Sequence, residues 1–185
     1  MIRADLIPHP DTPCETVRRL QGQMIRRRDF ILIRFNLLAQ TDQLSLPAAR
    51  TGRRRDELWK TTCFEVFARD EASGRYVELN VSPGHDWAAY RFSTYRAGME
   101  NADIPEPLIR TRNSSTTFEL EAEAREFADL PPDAAWSVGF CAVIETAGGD
   151  KSYWALAHPP DRPDFHHDVA FALSLPPSGA PEEIS

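Results

Sequence analysis

FILIRFNLL, which runs from Phe30 to Leu38, alternates apolar and polar side chains with a period of two. Its odd-numbered positions are all large and apolar, whereas Arg34 and Asn36 fall between them. Successive side chains of a β-strand point to opposite faces of the sheet, so this segment predicts a strand with one buried face and one solvated face.

Two further segments predict a β-hairpin. Residues 63–68, CFEVFA, and residues 76–81, YVELNV, both alternate, and the polar segment 69–75 between them contains Gly74. A polar connection with a glycine is typical of a hairpin loop, since glycine adopts turn conformations that other residues avoid. We therefore expect these two strands to be neighbours in one antiparallel sheet.

Short alternating segments recur along the rest of the chain, with clusters of proline, glycine, aspartate and asparagine between them. This spacing is typical of an all-β sandwich. The remaining predicted strands are residues 87–92, 108–112, 117–122, 136–145, 153–158 and 169–175. Residues 119–128 have the composition of a helix although their first half continues the strand pattern, so we predict a strand followed by a short helix here, and at most one short helix in the fold.

Length and composition limit the class of protein. The chain has 185 residues and a formal net charge of −7, which excludes a mainly electrostatic nucleic-acid binder. No stretch is long and apolar enough to span a membrane, and no export signal is evident at the start. We expect one domain over residues 1–177, a frayed tail over residues 178–185 and, because the three cysteines form no close pair, a cytoplasmic location.

The residues that could carry chemistry are concentrated in the predicted hairpin. Glu65, Glu78 and Asn80 share their strand faces with aromatic residues. This combination suits a sugar, because carboxylates and amides pair with hydroxyl groups while aromatic rings lie against the C–H faces of the sugar ring. The alternative is an ordinary solvated sheet face on which Arg34 or Arg91 balances the two glutamates.

A catalytic interpretation of Glu65 and Glu78 is also open. Cross-strand neighbours lie about 5 Å apart, a separation that suits a retaining glycoside hydrolase. Such an enzyme needs one carboxyl group that stays protonated, whereas the neighbouring Arg and Lys residues are expected to lower both pKa values. We therefore predict binding without catalysis rather than an enzyme.

Histidine and methionine residues leave further alternatives open. A pair of them could bind haem, although no attachment motif is present. His158, Asp164 and His166 could bind a metal ion, although histidines in loops usually bond to backbone carbonyls. The arginine runs 26–28 and 53–55 could bind phosphate or could be solvated turns. We expect no metal and no cofactor, with haem as the alternative.

A set of motifs extends through the middle and late parts of the chain. They are LWKTTCFEVF at 58–67, YVELNVSP at 76–83, WAAYRF at 87–92, YRAGM at 95–99 and HPPDRPDFH at 158–166. Together they resemble the bacterial DOMON-like proteins, which are related to the family 9 carbohydrate-binding modules. The likeness extends over residues 5–175, and it implies an immunoglobulin-like antiparallel β-sandwich, in agreement with the alternation described above.

The resemblance also implies a ligand site. In the family 9 sugar-binding modules two tryptophans clasp a sugar while Glu, Asn and Arg side chains hold its hydroxyl groups, and Trp59 and Trp87 are the analogous pair here. The complete set of expected ligand-binding residues is Trp59, Lys60, Glu65, Glu78, Asn80, Trp87, Tyr90 and Arg91. We expect a module that binds a small carbohydrate or sugar derivative. Related DOMON domains bind haem instead, and a module that binds another protein is the remaining alternative.

Overall fold

The computed structural model describes residues 1–27, 29–125, 127 and 129–177, and its regular structure is almost entirely β. The strands are β1 (Ile2–Pro8), β2 (Val17–Arg26), β3 (Ile31–Ala39), β4 (Cys63–Asp70), β5 (Tyr76–Val81), β6 (Trp87–Phe92), β7 (Glu100–Asn101), β8 (Leu108–Asn113), β9 (Thr117–Ala124), β10 (Trp136–Glu145), β11 (Lys151–Ala155) and β12 (Leu173–Leu175). Three 3-10 helices of one turn each cover Thr41–Gln43, Leu58–Lys60 and Asp168–Ala170. Within the described ranges, no helix is long and apolar enough to cross a membrane. The predicted tail, residues 178–185, lies outside the described residues.

The strands form two antiparallel sheets that are joined along one strand. The first sheet has the order β1-β2-β3-β9-β8, and the second has the order β7-β6-β5-β4-β10-β11, with β12 also paired to β10. Strand β1 belongs to both sheets, because Ile2 to Leu6 pair with β2 whereas Ile7 and Pro8 pair with β11. This shared strand turns the corner of a β-sandwich.

The main apolar core fills the space between the two sheets. Phe35 of β3 meets Phe64 of β4 and Phe140 of β10, with ring centroids 5.1 Å and 5.9 Å apart. Gly22 of β2 permits a close approach, because a Cβ atom there would lie 2.4 Å from Cγ of Phe140. Alternate apolar residues of both sheets point into this one core, so the predicted all-β antiparallel sandwich is confirmed.

Most predicted strands are present with small shifts of their ends. The hairpin of β4 and β5 is confirmed, and its register places Glu65 opposite Asn80. The predicted strand 153–158 corresponds to β11, which begins at Lys151 and ends at Ala155. Three strands that the pattern did not predict, β1, β2 and β7, are also present.

Two expectations about the C-terminal half are wrong. Residues 169–175 form a 3-10 turn followed by β12 rather than one strand, and Nδ1 of His167 caps the turn by accepting a bond from the Val169 backbone N–H. The predicted helix within residues 119–128 is replaced by the continuation of β9 to Ala124. After that strand, residues 125 and 127 are not helical, and residues 126 and 128 lie outside the described part.

The outer face of the second sheet is covered rather than solvated. The 3-10 turn Leu58–Lys60 and the long segment between β11 and β12 contribute to an apolar cluster on this face. Phe67 and Tyr76 of the sheet contact Phe171 of that segment, with ring centroids 6.0 Å and 5.7 Å apart. A second apolar cluster therefore lies outside the sandwich core, and the candidate site is a gap beside it.

Candidate functional site

A pocket of about 330 Å³ opens on the covered face of the second sheet. This volume is at the lower end of the range for small-molecule sites in proteins. The sheet supplies the floor, and the covering segments supply most of the walls. The lining consists of the acidic pair Glu65 and Glu78, the rings of Trp59, Phe92, Tyr153, Phe165 and His166, and the side chains of Arg96, Met99, Val143 and Pro163.

Three polar side chains of the β4–β5 hairpin are buried at the floor. Glu65 lies directly opposite Asn80, and Glu78 lies two residues before Asn80 on the same face of β5. The Asn80 side-chain amide donates a hydrogen bond of 2.7 Å to Oε1 of Glu78. Among the described residues, Oε1 of Glu65 and Oδ1 of Asn80 have no hydrogen-bond partner. Buried polar atoms without partners are costly, so a ligand that donates a hydrogen bond to Glu65, which lines the pocket, would be stabilised here.

Burial controls the ionisation of both floor glutamates. It raises the pKa of Glu65 well above its ordinary value, and the nearby charge of Glu78 raises it further. Burial also raises the pKa of Glu78 to about 7, although the hydrogen bond from Asn80 acts in the opposite direction. Both pKa values are raised overall, so the expectation that neighbouring Arg and Lys residues lower them is wrong, although the charge of Arg96 offsets part of the increase at Glu78. The register makes the two glutamates diagonal rather than direct neighbours, so the expected separation of directly opposed residues is also wrong.

Arg34 and Arg91, which were expected to balance the floor glutamates, form ion pairs with other acidic residues. Arg34 lies on the first sheet and pairs with Glu121, with 2.7 Å between Nε and Oε2. Arg91 pairs with Glu100 and with Asp129. Neither arginine balances the floor glutamates, so the interpretation as an ordinary solvated sheet face is wrong.

A chain of hydrogen bonds orients the imidazole beside the floor. The Arg96 backbone N–H donates to the Tyr76 hydroxyl at 3.1 Å, and this hydroxyl lies 2.9 Å from Nδ1 of His166. Burial raises the pKa of Tyr76 to about 12, so the phenol keeps its proton at pH 7. Nε2 of His166, the other ring nitrogen, faces Oε2 of Glu78 at 3.8 Å. Burial, with the charge of Arg96, lowers the pKa of His166 to about 4, which keeps the ring neutral at pH 7.

Asp164 holds the cationic side of the pocket in place. It accepts hydrogen bonds from the Arg96 guanidinium at 2.7 Å and from the Tyr95 hydroxyl. Burial raises the pKa of Asp164, but these bonds outweigh burial and bring the pKa below its ordinary value. Arg96 has a φ of 51°, in the left-handed region that residues other than glycine rarely adopt. Strained backbone of this kind is concentrated at binding sites.

Trp59 forms an aromatic wall of the pocket. It lies in the 3-10 turn Leu58–Lys60, which follows Glu57, a residue with a φ of 62°. The indole meets the ring of Tyr90 edge to face, with centroids 6.1 Å apart. Trp59 is half-buried, whereas the other three tryptophans are buried. Its ring is therefore the one that a ligand can reach.

Trp87 does not reach the pocket. It is 5% exposed and points into the core between the sheets, where the Arg54 guanidinium lies 5.1 Å from its ring centroid. Trp59 lies on the opposite face of the second sheet. The expected clasp of two tryptophans is therefore not formed, because the strand alternation of β6 turns Trp87 inward.

Four other expected ligand residues do not line the pocket. Tyr90 lies on the pocket face, where its hydroxyl donates to Asp56 at 2.8 Å. Asn80 is fully buried at the floor and orients a floor carboxylate. Arg91 and Lys60 are exposed and form ion pairs outside the pocket. The structure thus brings Trp59, Glu65 and Glu78 together at the surface of one cavity.

The residues considered for metal or haem do not form one site. Nε2 of His158 lies 2.9 Å from the Ile7 carbonyl oxygen, whereas Asp164 and His166 hold the hydrogen bonds described above. Met24 is fully buried in the sandwich core. In the described part of the chain, no three His, Cys, Asp or Glu side chains come close enough to hold a metal ion.

One arginine of each run, Arg26 and Arg54, holds other parts of the chain in place. Arg26 donates to carbonyl oxygens of the loop before β10, and its guanidinium lies 3.4 Å above the ring of Trp136. Arg54 donates to carbonyl oxygens of β6 and of the segment after β7. Arg28 lies outside the described residues.

Sequence reasoning did not assign several of the lining residues to the site. Arg96 and Met99 lie in the YRAGM motif, and Phe165 lies in the HPPDRPDFH motif. These two motifs therefore already contained a signal for the pocket walls. Tyr153 belongs to neither motif, and it reaches the pocket because β11 lies beside β10.

Comparisons with known proteins place the fold but no family. No protein-family model matches the sequence, and no curated protein matches it. A provisionally assigned carbohydrate-binding protein from Bacteroides uniformis ATCC 8492 is similar in structure, with a TM-score of 0.65 and 12% identity over 92% of this chain and 84% of that chain. A family 9 carbohydrate-binding module from Caldicellulosiruptor kristjanssonii, in complex with glucose, has a TM-score of 0.53 and 10% identity over 90% of this chain and 80% of that chain. At these identities the likeness shows a shared β-sandwich fold.

Proposed function

We propose that the pocket binds a small carbohydrate and that the domain acts by binding alone. One observation carries this proposal: a reachable indole and two buried floor glutamates line the same cavity of about 330 Å³, and one glutamate oxygen has no partner in the part of the chain that the structure describes. An indole presents a flat apolar surface to the C–H face of a sugar ring. Unpartnered oxygens accept hydrogen bonds from its hydroxyl groups.

Each lining residue has a distinct role in this proposal. The sugar ring stacks on Trp59, and its hydroxyl groups donate to Glu65 and Glu78. Arg96 and Nε2 of His166 supply donors for the ring and hydroxyl oxygens. One aromatic contact with a few hydrogen bonds gives a weak complex, with a Kd of roughly 1 mM to 1 μM, or about −4 to −8 kcal/mol.

The fold comparisons support the proposal at the level of ligand class. One neighbour is provisionally assigned as carbohydrate-binding, and the other is a family 9 module in complex with glucose. We therefore propose a distant relation to the family 9 modules, in keeping with the motif resemblance. The sugar that binds depends on the lining of this pocket, which contains Trp59 but not the expected second tryptophan, Trp87.

The position of the two glutamates argues against glycoside hydrolysis. A catalytic pair must flank the scissile bond, with the acid on one side and the nucleophile or base on the other. Here Glu65 and Glu78 come from adjacent strands and lie on one face of one sheet. Both carboxyl groups therefore approach a ligand from the floor, which suits recognition of hydroxyl groups rather than attack on a glycosidic bond.

The haem alternative receives less support from this pocket. His166 uses Nδ1 toward the Tyr76 hydroxyl and turns Nε2 toward Glu78. To bind haem iron, one of these two nitrogens of His166 would have to give up its present contact. We therefore place the carbohydrate first.

Tryptophan fluorescence during titration with sugars tests the proposed function. A panel of mono- and disaccharides is added to the purified protein, and we expect a saturable change with one sugar class. Trp59 is the half-buried tryptophan, so the signal reports the pocket wall. Calorimetry repeats the titration for Trp59→Ala, which should weaken binding by about tenfold or more.

Lys60→Ala is the matched control for this experiment. Lys60 is next in the chain to Trp59, but it is exposed and pairs with Glu57 outside the pocket. We expect wild-type affinity for Lys60→Ala. The proposal is wrong if no sugar binds, or if Trp59→Ala binds a responding sugar as tightly as the wild type.

A further inference from the structure

The pocket floor holds two acidic side chains, and in the described part of the chain no cation forms an ion pair with either of them. Glu65 and Glu78 both face the cavity, while the Arg96 guanidinium is already paired with Asp164 at 2.7 Å. Among the ion pairs of the described residues, the contact with His166 at 3.8 Å is the one that includes a floor glutamate. That ring is neutral at pH 7, because burial lowers its pKa to about 4.

Glu65 is the floor side chain that most clearly lacks a partner. The residue is 3% exposed, and Oε1 forms no hydrogen bond within the described part of the chain. Its cross-strand neighbour Cys141 and its strand neighbour Cys63 are buried thiols on the same face. Burial raises the pKa of both thiols, so they add no charge at pH 7. An ionised carboxylate in this position is stable when a ligand brings the missing cation.

The walls favour the same kind of ligand as the floor. Rings of Trp59, Phe92, Tyr153 and Phe165 line the cavity. The face of an aromatic ring carries negative electrostatic potential and attracts a cation, more strongly where water is excluded. The cavity is therefore lined by acidic side chains below and aromatic rings at the sides, the two kinds of group that attract a cation.

We infer that the ligand carries a positively charged amine, so that the class bound by this pocket is an amino sugar rather than a neutral sugar. The inference rests on the proposed carbohydrate function and adds the charge of the ligand. An ammonium group has three N–H donors. The carboxyl groups of Glu65 and Glu78, which both line the pocket, can accept two of these bonds.

Binding of an ammonium group is coupled to proton release. A positive charge beside the floor glutamates favours their ionised forms and so lowers the pKa values that burial has raised. Protons therefore leave the pocket as the ligand enters at pH 7. The other titratable groups that act on this floor keep their charge states at pH 7. They are Cys63, Tyr76, Arg96, Cys141, Asp164 and His166.

Isothermal titration calorimetry at pH 7 tests the inference with four probes. Glucosamine carries the amine, glucose and N-acetylglucosamine are the neutral sugars, and cyclohexylamine is an amine without sugar hydroxyls. We expect glucosamine to bind roughly tenfold to a hundredfold more tightly than either neutral sugar. Titrations in two buffers of different ionisation enthalpy should show proton release with glucosamine and not with glucose.

Two variants that replace a floor glutamate by glutamine test whether these carboxyl groups cause the preference for glucosamine. Glu65→Gln and Glu78→Gln should each bring glucosamine to the affinity of glucose, because an amide has no charge to pair with ammonium. Glu100→Gln is the matched control, since Glu100 is exposed and pairs with Arg91 outside the pocket. If a floor variant does not fold, the proton release of the wild type decides the question.

The possible outcomes separate the two proposals. Equal affinity for glucosamine and glucose, or no proton release, overturns the amine inference and leaves carbohydrate binding intact. Equal affinity for cyclohexylamine and glucosamine supports the amine and overturns the carbohydrate function. A preference for glucosamine that survives in Glu65→Gln and Glu78→Gln overturns the assignment to the floor, and absence of binding by all four probes overturns both proposals.

Discussion

The raised pKa of Glu78 can be tested without a ligand, because it makes the stability of the protein depend on pH. Burial raises its pKa from 4.5 to about 7, so the folded protein holds this proton more tightly than the unfolded chain does. Its contribution to stability is complete below pH 4.5 and is lost as the pH rises through 7. Relative to the wild type, Glu78→Gln should therefore gain up to about 1 kcal/mol of unfolding free energy per pH unit in this window. Urea unfolding at pH 5, 6 and 7 measures the gain.

Glu119→Gln is the control for this pH series. Glu119 lies on β9, its side chain is 52% exposed, and its contact with Arg112 is long, at 3.9 Å. Its difference from the wild type should stay constant across the series, because exposed ion pairs contribute little to stability. A difference for Glu78→Gln that is equally constant would contradict the effect of burial on the Glu78 carboxyl.

Trp87 should matter for stability and not for ligand binding. Its Nε1 is buried and has no hydrogen-bond partner among the described residues, so Trp87→Phe removes this donor and keeps an aromatic ring in the core. Trp87→Ala leaves a cavity and should cost about 3–5 kcal/mol. Urea unfolding and sugar titration of Trp87→Phe check both statements. Loss of binding by a folded Trp87→Phe variant would instead place this residue in the ligand site.

The period of two predicted correctly that Glu65, Glu78 and Asn80 share one face. The same period separates Trp87 from Tyr90 in β6, but it does not tell which of them faces the pocket. That choice depends on the pairing with β5 and on which face is turned to the other sheet. The covering of this face could not be predicted either, because it depends on contacts with residues far away in the chain.

Strand β2 approaches the second sheet so closely at one position that glycine is required there. A Cβ atom on Gly22 would lie 2.4 Å from Cγ of Phe140, well inside van der Waals contact. Gly22→Ala should therefore force the ring or the strand to shift, at a cost of about 1–3 kcal/mol in unfolding free energy. Gly148→Ala is the control, since the nearest atom to its Cβ would be Oγ1 of Thr146 at 3.6 Å. Equal unfolding midpoints for the two variants would contradict the close packing of β2.

The missed strands have weak patterns for identifiable reasons. The register of β2 shifts between Val17 and Arg19, so that Val17 and Leu20 both point inward and the alternation is broken. Gly22 then takes an inward position at which an apolar side chain would have been a signal. Strand β7 has two residues, too few for any period. In contrast, residues 169–175 alternate well, but the cap of the 3-10 turn overrides the pattern at their start.

The whole molecule holds its two apolar regions on opposite faces of one sheet. The region between the sheets holds the main core, and the outer region holds the pocket. The pocket lining comes from residues between Trp59 and His166, which are separated along the chain by most of the second sheet. These residues meet when the sandwich and its covering segments are both formed. A pocket ligand is therefore expected to bind the folded chain and not the unfolded one.

Because a pocket ligand binds only the folded chain, a bound sugar should raise the temperature of thermal unfolding. A ligand that binds the folded state alone, at about 100 times its Kd, stabilises it by roughly 2.7 kcal/mol. For a chain of 185 residues this corresponds to an increase in Tm of roughly 5–10 °C. Lys60→Ala should show the wild-type increase, whereas Trp59→Ala, which binds about tenfold more weakly, should show about half of that increase or less at the same ligand concentration. An equal increase in both variants would mean that the sugar binds away from the Trp59 wall, because the two residues are adjacent in one turn and differ in whether they line the pocket.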